Sequence, residues 1–259
     1  MADTTGTNQA SSTKILIAQV LLAVALVAFW ELVGRKFGYS WTSLPSLIAV
    51  RIVEWIGTDL AHHVTVTLSE IFIGLTIGGT SGILLGLVLG RSIVLGTVFR
   101  PIIVGFYSVP IITLAPLFIL WFGLDLAPKI VLVTVSAFFL LFFNTFSGVR
   151  AIDRDLILSM RIMGASSGEE FRKVIAPGAM TWIISGVKIA LPYAFAAAVT
   201  GELLASRDGL GSLLAKAAAQ FDMTGLYSAL VVLMVMGIVT SAIAVGVERW
   251  MLRWRNATG

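Results

Sequence analysis

Four segments of the chain, 71–90, 101–124, 130–149 and 223–247, contain no charged residue. At a rise of ~1.5 Å per residue each is long enough, as a helix, to cross a hydrocarbon core of ~30 Å. Two further segments are apolar with few interruptions: 15–33, which runs past Glu31, and 180–204, which contains Lys188 and Glu202. The pattern predicts an all-α integral membrane protein with about six transmembrane helices, at 15–33, 66–90, 101–124, 128–149, 180–204 and 224–247. Polar tails, 1–14 and 248–259, flank them. The first span has only Lys14 ahead of it and no small-residue cleavage site behind it, so it reads as a retained anchor. Residues 44–57 begin with Leu44-Pro45 and set apolar side chains on most of one side against Arg51 and Glu54 on the other. That is the pattern of a helix lying in the membrane interface.

Composition removes the soluble alternatives. Of 259 residues, 58% are hydrophobic and 12% charged, with a mean hydropathy of +0.96, far from soluble usage. Six spans put both termini on one side, so the loops fall into two sets. One holds eleven Lys and Arg: Lys14, Arg91, Arg100, Arg150, Arg154, Arg161, Arg172, Lys173, Arg249, Arg253 and Arg255. The other holds six, Arg35, Lys36, Arg51, Lys129, Arg207 and Lys216. The richer set, with both termini, is expected in the cytoplasm; around the first span alone the local count runs the other way. Lys188, inside a span, is expected to snorkel, and Trp250 and Trp254 among Arg249, Arg253 and Arg255 read as an interfacial anchor. The net charge of +4 is thereby a matter of topology and not of nucleic-acid binding. With no cysteine there is neither a disulfide frame nor a thiolate site. His62-His63 could bind a metal with Asp59, but two histidines at an interface are ordinarily solvated.

Residues 150–177 form the longest cytoplasmic loop and are dense in charge. Gly164-Ala165 breaks a helical stretch over 153–163, and Ser166-Ser167-Gly168-Glu169 makes a capping box. Glu169 and Glu170 fall at the positive end of the helix that follows, Arg172 and Lys173 at its negative end, and Pro177 is expected to stop it after about two and a half turns. Phe171, Val174 and Ile175 give it an apolar face. These residues alone leave both a solvated connection and a docking surface open.

Gly164-Ala165-Ser166 with Pro177 thirteen residues past the glycine resembles the cytoplasmic EAA loop of binding-protein-dependent ABC importer permeases. Leu158-Ser159-Met160 stands where that family has Glu-Ala-Ala. Further matches follow in order and spacing: Leu44-Pro45-Ser46, Ser108-Val109-Pro110, Leu114-Ala115-Pro116-Leu117, Trp121-Phe122-Gly123, Gly186-Val187-Lys188, Gly201-Glu202-Leu203 and Gly209-Leu210-Gly211. Together they are similar to the permeases of the nitrate, sulfonate and taurine uptake group, and Glu70 is a departure from it. The resemblance implies a type I ABC importer permease fold. It implies a second permease copy forming a homodimer, a cytoplasmic ATPase dimer carrying MgATP, and an external binding protein that delivers a small anionic solute. It makes Arg161, Gly164, Ala165, Ser166, Ser167, Glu169, Glu170, Phe171, Arg172, Lys173 and Pro177 the expected coupling residues.

The remaining polar and broken positions are candidates for the translocation path. Pro110 and Pro116 break the third span, and freed carbonyls are tolerated only within protein or beside a watery cavity. Phe106, Tyr107, Ser108, Ile111 and Phe122 could therefore line or gate a path, or simply pack. Asn144 and Glu202 could face a path or bond neighbouring helices. Gly78, Gly79, Gly82, Gly86 and Gly90 form a close-packing stripe. No Walker glycine-lysine loop is present, so ATP hydrolysis is expected on a partner and the chain itself is expected to be no enzyme. The alternative is an ion-gradient-driven secondary transporter or channel, which calls for intramembrane charge clusters and repeated halves that the sequence does not display.

Overall fold

The computed structural model describes residues 5–37 and 42–252, and every regular element among them is helical. In chain order they are α1 (Thr5–Phe37), α2 (Pro45–Ile56), α3 (Leu60–Arg91), α4 (Ile93–Tyr107), α5 (Ala115–Phe122), α6 (Leu126–Arg150), α7 (Arg154–Ile162), α8 (Ser167–Glu170), α9 (Ala176–Ala205), α10 (Leu210–Ala219) and α11 (Met223–Met251). A 3-10 turn, Ile111–Leu114, precedes α5, and a π-turn, Phe171–Ile175, joins α8 to α9. Five helices are long and apolar enough to cross a membrane, and a sixth crossing is available from the bent pair α4 and α5.

The bundle is built around α6, which packs on α3 along one side and α9 along another. The glycine stripe explains the first seam. A side chain at Gly78 would meet the Thr134 carbonyl, one at Gly82 the Phe138 carbonyl 2.5 Å away, and one at Gly90 the Val149 side chain at 2.8 Å. α3 can come this close to α6 only because it carries no Cβ at the contacts, and dispersion between the helices then replaces the hydrophobic drive that lipid does not supply. Gly78→Leu is expected to prevent the seam from closing, so that the protein is lost to aggregation. A monodisperse size-exclusion peak at wild-type yield would contradict this.

The third predicted span needs correction. The helix starts at Ile93 instead of residue 101, carries Pro101 in its interior, ends at Tyr107, and resumes after Pro110 at an angle of 76°. The break falls at Pro110, which has no amide to offer the Phe106 carbonyl.

At the end of the bundle opposite α7 and α8, α1 is tied to α2. The Glu31 carboxylate accepts from the Ser46 amide at 3.1 Å and hydroxyl at 2.9 Å, supplying the cap that Leu44 cannot. Elsewhere α1 presents its apolar side chains outward. The helix α2 lies against α11, with Ile48 buried, and Arg51 reaches Asp222 at 2.8 Å as well as Glu54 at 3.5 Å. Asp222 caps α11 through the Gly225 amide at 2.9 Å. Lys188, expected to snorkel, pairs with Glu248 near the end of α11 at 2.7 Å. The anchor expected at Trp254, Arg253 and Arg255 lies outside the described residues.

Candidate functional site

The segment between α6 and α9 is built by short-range rules. Asp153 caps α7 through the Asp155 amide at 2.8 Å. Gly164 then adopts φ +83°, a left-handed conformation that ends α7 and that a Cβ would strain. Ser166 starts the next helix with the predicted box: its hydroxyl accepts from the Glu169 amide at 3.3 Å, and the Glu169 carboxylate accepts from the Ser166 amide at 3.0 Å. Lys173 adds an ion pair to Glu169 at 2.9 Å. Lys173 foremost, and then the Ser166 amide and hydroxyl, hold the Glu169 carboxyl down at about 2, against its usual 4.5. A depressed folded value means stability that is full above the unfolded value and lost as pH falls through the folded one. Amide exchange over 166–173, corrected for its intrinsic pH dependence, is therefore expected to stay protected at pH 5 and above and to lose protection between about 4.5 and 2. Protection unchanged down to pH 2 would contradict this.

One contact was not legible. Arg161 from α7 grips Glu170 with two bonds, Nε to Oε1 at 2.6 Å and Nη2 to Oε2 at 3.1 Å. The Glu170 side chain is buried, and the Arg161 guanidinium holds its carboxyl below the usual range. This fork closes the helix-turn-helix on itself. Arg91, the last residue of α3, donates to the Ser167 carbonyl at 3.0 Å and ties the turn to the bundle.

Pro177 does not stop the helix, contrary to expectation. The π-turn changes the bonding so that the Ala176 amide reaches the Phe171 carbonyl, and Pro177 falls in the first turn of α9, where a missing amide costs little. Residues 167–205 thus form one continuous helical rod. By rise alone it is about 58 Å long. Its lower part is seated in an apolar cluster of Val149, Ile175 and Ala179, with Phe171, Ile157 and Leu87 packed around them. Leu158 and Ile162, one turn apart on α7, are exposed beside this charged segment, as is Met163 just after the helix. The spacing of four between Leu158 and Ile162 was the available signal.

The candidate path residues fall in two groups. Phe106, Tyr107, Ser108, Pro110 and Phe122 are exposed around the α4–α5 bend, and Ile111 is partly buried there. Tyr107 also packs on Phe139 and Phe143 of α6, with ring centroids at 5.6 and 5.1 Å. Asn144 donates to the Leu140 carbonyl at 2.8 Å and stands beside Gly186 of α9. Glu202 bonds neighbouring helices. It is fully buried, and its oxygens accept from the Thr67 hydroxyl at 2.6 Å and the Gly211 amide at 2.7 Å.

Around Glu202 lies a polar cluster at the end of the bundle far from α8. Three successive amides that open α10 are satisfied by side chains: Gly209 by His63 Nδ1 at 2.9 Å, Leu210 by Thr67 at 3.0 Å, and Gly211 by Glu202. Those are the donors that every helix N-terminus leaves open. His63 is consequently buried and not solvated as expected, while His62 stays exposed near Asp208 at 3.3 Å. Lys129 of α6, fully within the cluster, pairs with Glu70 of α3 at 2.6 Å and donates to Ser206 at 2.9 Å. Among the described residues no group of His, Cys, Asp and Glu is arranged to hold a metal ion.

Comparison with known proteins agrees with this architecture. The chain is 30% identical to the putative aliphatic sulfonates transport permease protein SsuC of Bacillus subtilis, over 92% of its length and 87% of the relative's. It is 30% identical to the formylaminopyrimidine transport permease protein ThiX of Halalkalibacterium halodurans, covering 91% and 95%. To the riboflavin transport system permease protein RibX of Chloroflexus aurantiacus it is 32% identical, covering 88% and 87%. A solved chain of the inward-facing MetNI methionine ABC transporter superposes with a TM-score of 0.65 at 23% identity, over 74% of this chain and 95% of that one, which places the fold among ABC transporter permeases. Residues 82–253, from the glycine stripe through the last helix, match one family model, and the chain belongs to that family, the binding-protein-dependent transport system inner membrane components.

Proposed function

We propose that this permease subunit forms, with a second copy of itself, the pathway of an ATP-driven importer whose power stroke enters through residues 167–175. In this reading α7, α8 and both termini face the cytoplasm, two ATPase subunits carrying MgATP seat the segment, and an external binding protein hands over a small anionic solute such as nitrate, a sulfonate, taurine or a similar organic acid. The observation that carries it is the continuity of the capped, forked segment with α9. A push on a rigid N-terminal extension displaces the whole membrane helix, whereas a loop would absorb it. The exposed Leu158 and Ile162 of α7, with Arg154 and Arg161 exposed on the same helix, supply a surface that a soluble partner would cover. The relatives named for sulfonate transport are compatible with an organic anion as the solute, while those named for formylaminopyrimidine and riboflavin transport carry other solutes.

Extraction of the tagged protein from its native membranes, followed by identification of what co-purifies, tests the reading. An ATPase subunit in equal amount is the expected result. A lone oligomer, in a detergent that preserves a known importer, would overturn it in favour of a gradient-driven carrier.

A further inference from the structure

The joint between α9 and α10 is residues 206–209. It ends on Gly209, at φ +103° and with no side chain to cap the helix that follows. The caps come from α3 and α9 instead, and the first of them is an imidazole: buried His63 accepts the Gly209 amide at Nδ1, 2.9 Å away. A ring nitrogen accepts only while it carries no proton, and a charged imidazole has two donors and no acceptor. The contact therefore requires the neutral ring protonated at Nε2. Once the ring is charged, its Nδ1–H and the Gly209 N–H are two donors face to face. The charged and titratable groups nearest His63 are Asp59 and His62 at its own end of α3, Asp208 in the joint and Lys216 of α10. Beyond Thr67 stand Glu202 of α9, Glu70 of α3 and Lys129 of α6. Exposed His62 lies 3.3 Å from Asp208, so that, when charged, it pairs with the residue just before Gly209. Acid thus acts on two consecutive residues of the joint, taking the acceptor from one and supplying a cation to the other.

We propose that His63 is an acid-sensitive latch on this joint: the neutral ring holds the start of α10 against α3, and the protonated ring releases it. Imidazole is the side chain whose ordinary titration falls between pH 5 and 8, so the release is expected within that range. A helix start that loses the acceptor for its first amide is left with a buried donor unpaired, and opening the joint to water is the way to satisfy it. Gly209 supplies the backbone freedom for that movement. Because the helical rod runs unbroken from Ser167 to Ala205, the latch holds the far end of the element that, in the coupling role proposed for it, transmits the stroke. The release itself does not depend on that role.

Amide exchange of the full-length protein in neutral detergent, corrected for its intrinsic pH dependence, reads the latch. Amides 209–211 are expected to be protected at pH 8 and to exchange about tenfold faster at pH 5, the scale of one buried hydrogen bond unmade, while 166–173 stays protected at both. His63→Asn sets an amide oxygen near the place of Nδ1, an acceptor that takes up no proton in this range, and is expected to keep 209–211 protected at pH 5. Three results would each overturn the proposal: protection of 209–211 that is the same at both pH values, loss in 166–173 along with it, which is general unfolding, or the same loss in His63→Asn, which assigns the change to Glu70 and Glu202. Should His63→Asn not fold, the chain's two histidines provide the decision. With the imidazole nitrogens isotopically labelled, no histidine tag, and His62→Gln to tell the two rings apart, His63 is expected to be neutral and protonated at Nε2 at pH 8 and to become charged as 209–211 lose protection. A ring protonated at Nδ1 at pH 8, or one still neutral after protection is lost, overturns it.

Discussion

Glu170→Arg is expected to leave the protein folded and inserted but to cut ligand-stimulated ATP hydrolysis of the assembled importer by about tenfold or more, the scale of an ordinary coupling free energy. Glu170 is the buried half of the fork with Arg161, and reversing it sets two cations against each other at the base of the segment. The capping box would persist, because Ser166 and Glu169 are untouched, so a short helix would remain without its brace. Stimulated hydrolysis in proteoliposomes, measured against basal hydrolysis, checks this. The exchange Arg161→Glu with Glu170→Arg is expected to recover part of the stimulation, which a loss caused by misfolding would not. Lys173→Ala removes only an exposed pair and is expected to have little effect. Equal stimulation in Glu170→Arg and wild type would remove the fork from the coupling route.

Lys129→Met is expected to be severely destabilising. It strands Glu70 and Glu202 together, two fully buried carboxyls, with no cation between α3, α6 and α9. Removing one partner of a buried pair costs about 3–5 kcal/mol, because the remaining charge is neither solvated nor matched. Such a loss is a large fraction of the ~5–15 kcal/mol that stabilises a typical protein, so much less folded protein is expected at 37 °C. Adding Glu70→Gln to Lys129→Met is expected to restore much of it, since an uncharged amide is cheaper to bury. Thermal unfolding of the two variants in one detergent provides the comparison; a double variant no more stable than the single would contradict the account.

Elements written in consecutive residues were legible, and pairings between distant ones were not. Span positions follow from charge-free runs, and the capping box of Ser166 and Glu169 follows from their spacing of three. The glycine stripe announced a close seam, but only the fold shows α6 on its other side. Pro177 was misread because a proline reads alike at the end of one helix and in the first turn of the next; a π-turn upstream decided which. Lys129 and His63 gave no signal at all. Lys129 counts as a loop cation until α6 brings it to Glu70, 59 positions away, and His63 looks solvated until the amide of Gly209, 146 positions on, lands upon it. The departure at Glu70 has its physical counterpart in Lys129. The path candidates around Pro110 are gathered at one bend, yet a path between two copies depends on a surface that a single chain's sequence does not encode.

The absence of cysteine makes the most direct test of the central claim simple. Gly168→Cys places one thiol on the coupling segment at a position where a side chain meets nothing within 4 Å. With a short thiol-directed crosslinker in inside-out membrane vesicles containing the assembled importer, an adduct joining this chain to the ATPase subunit is predicted. Gly57→Cys, at the opposite end of the bundle, should give none. A Gly168→Cys thiol that is labelled by a small maleimide but never joined to the ATPase would contradict the claim that residues 167–175 seat on that partner.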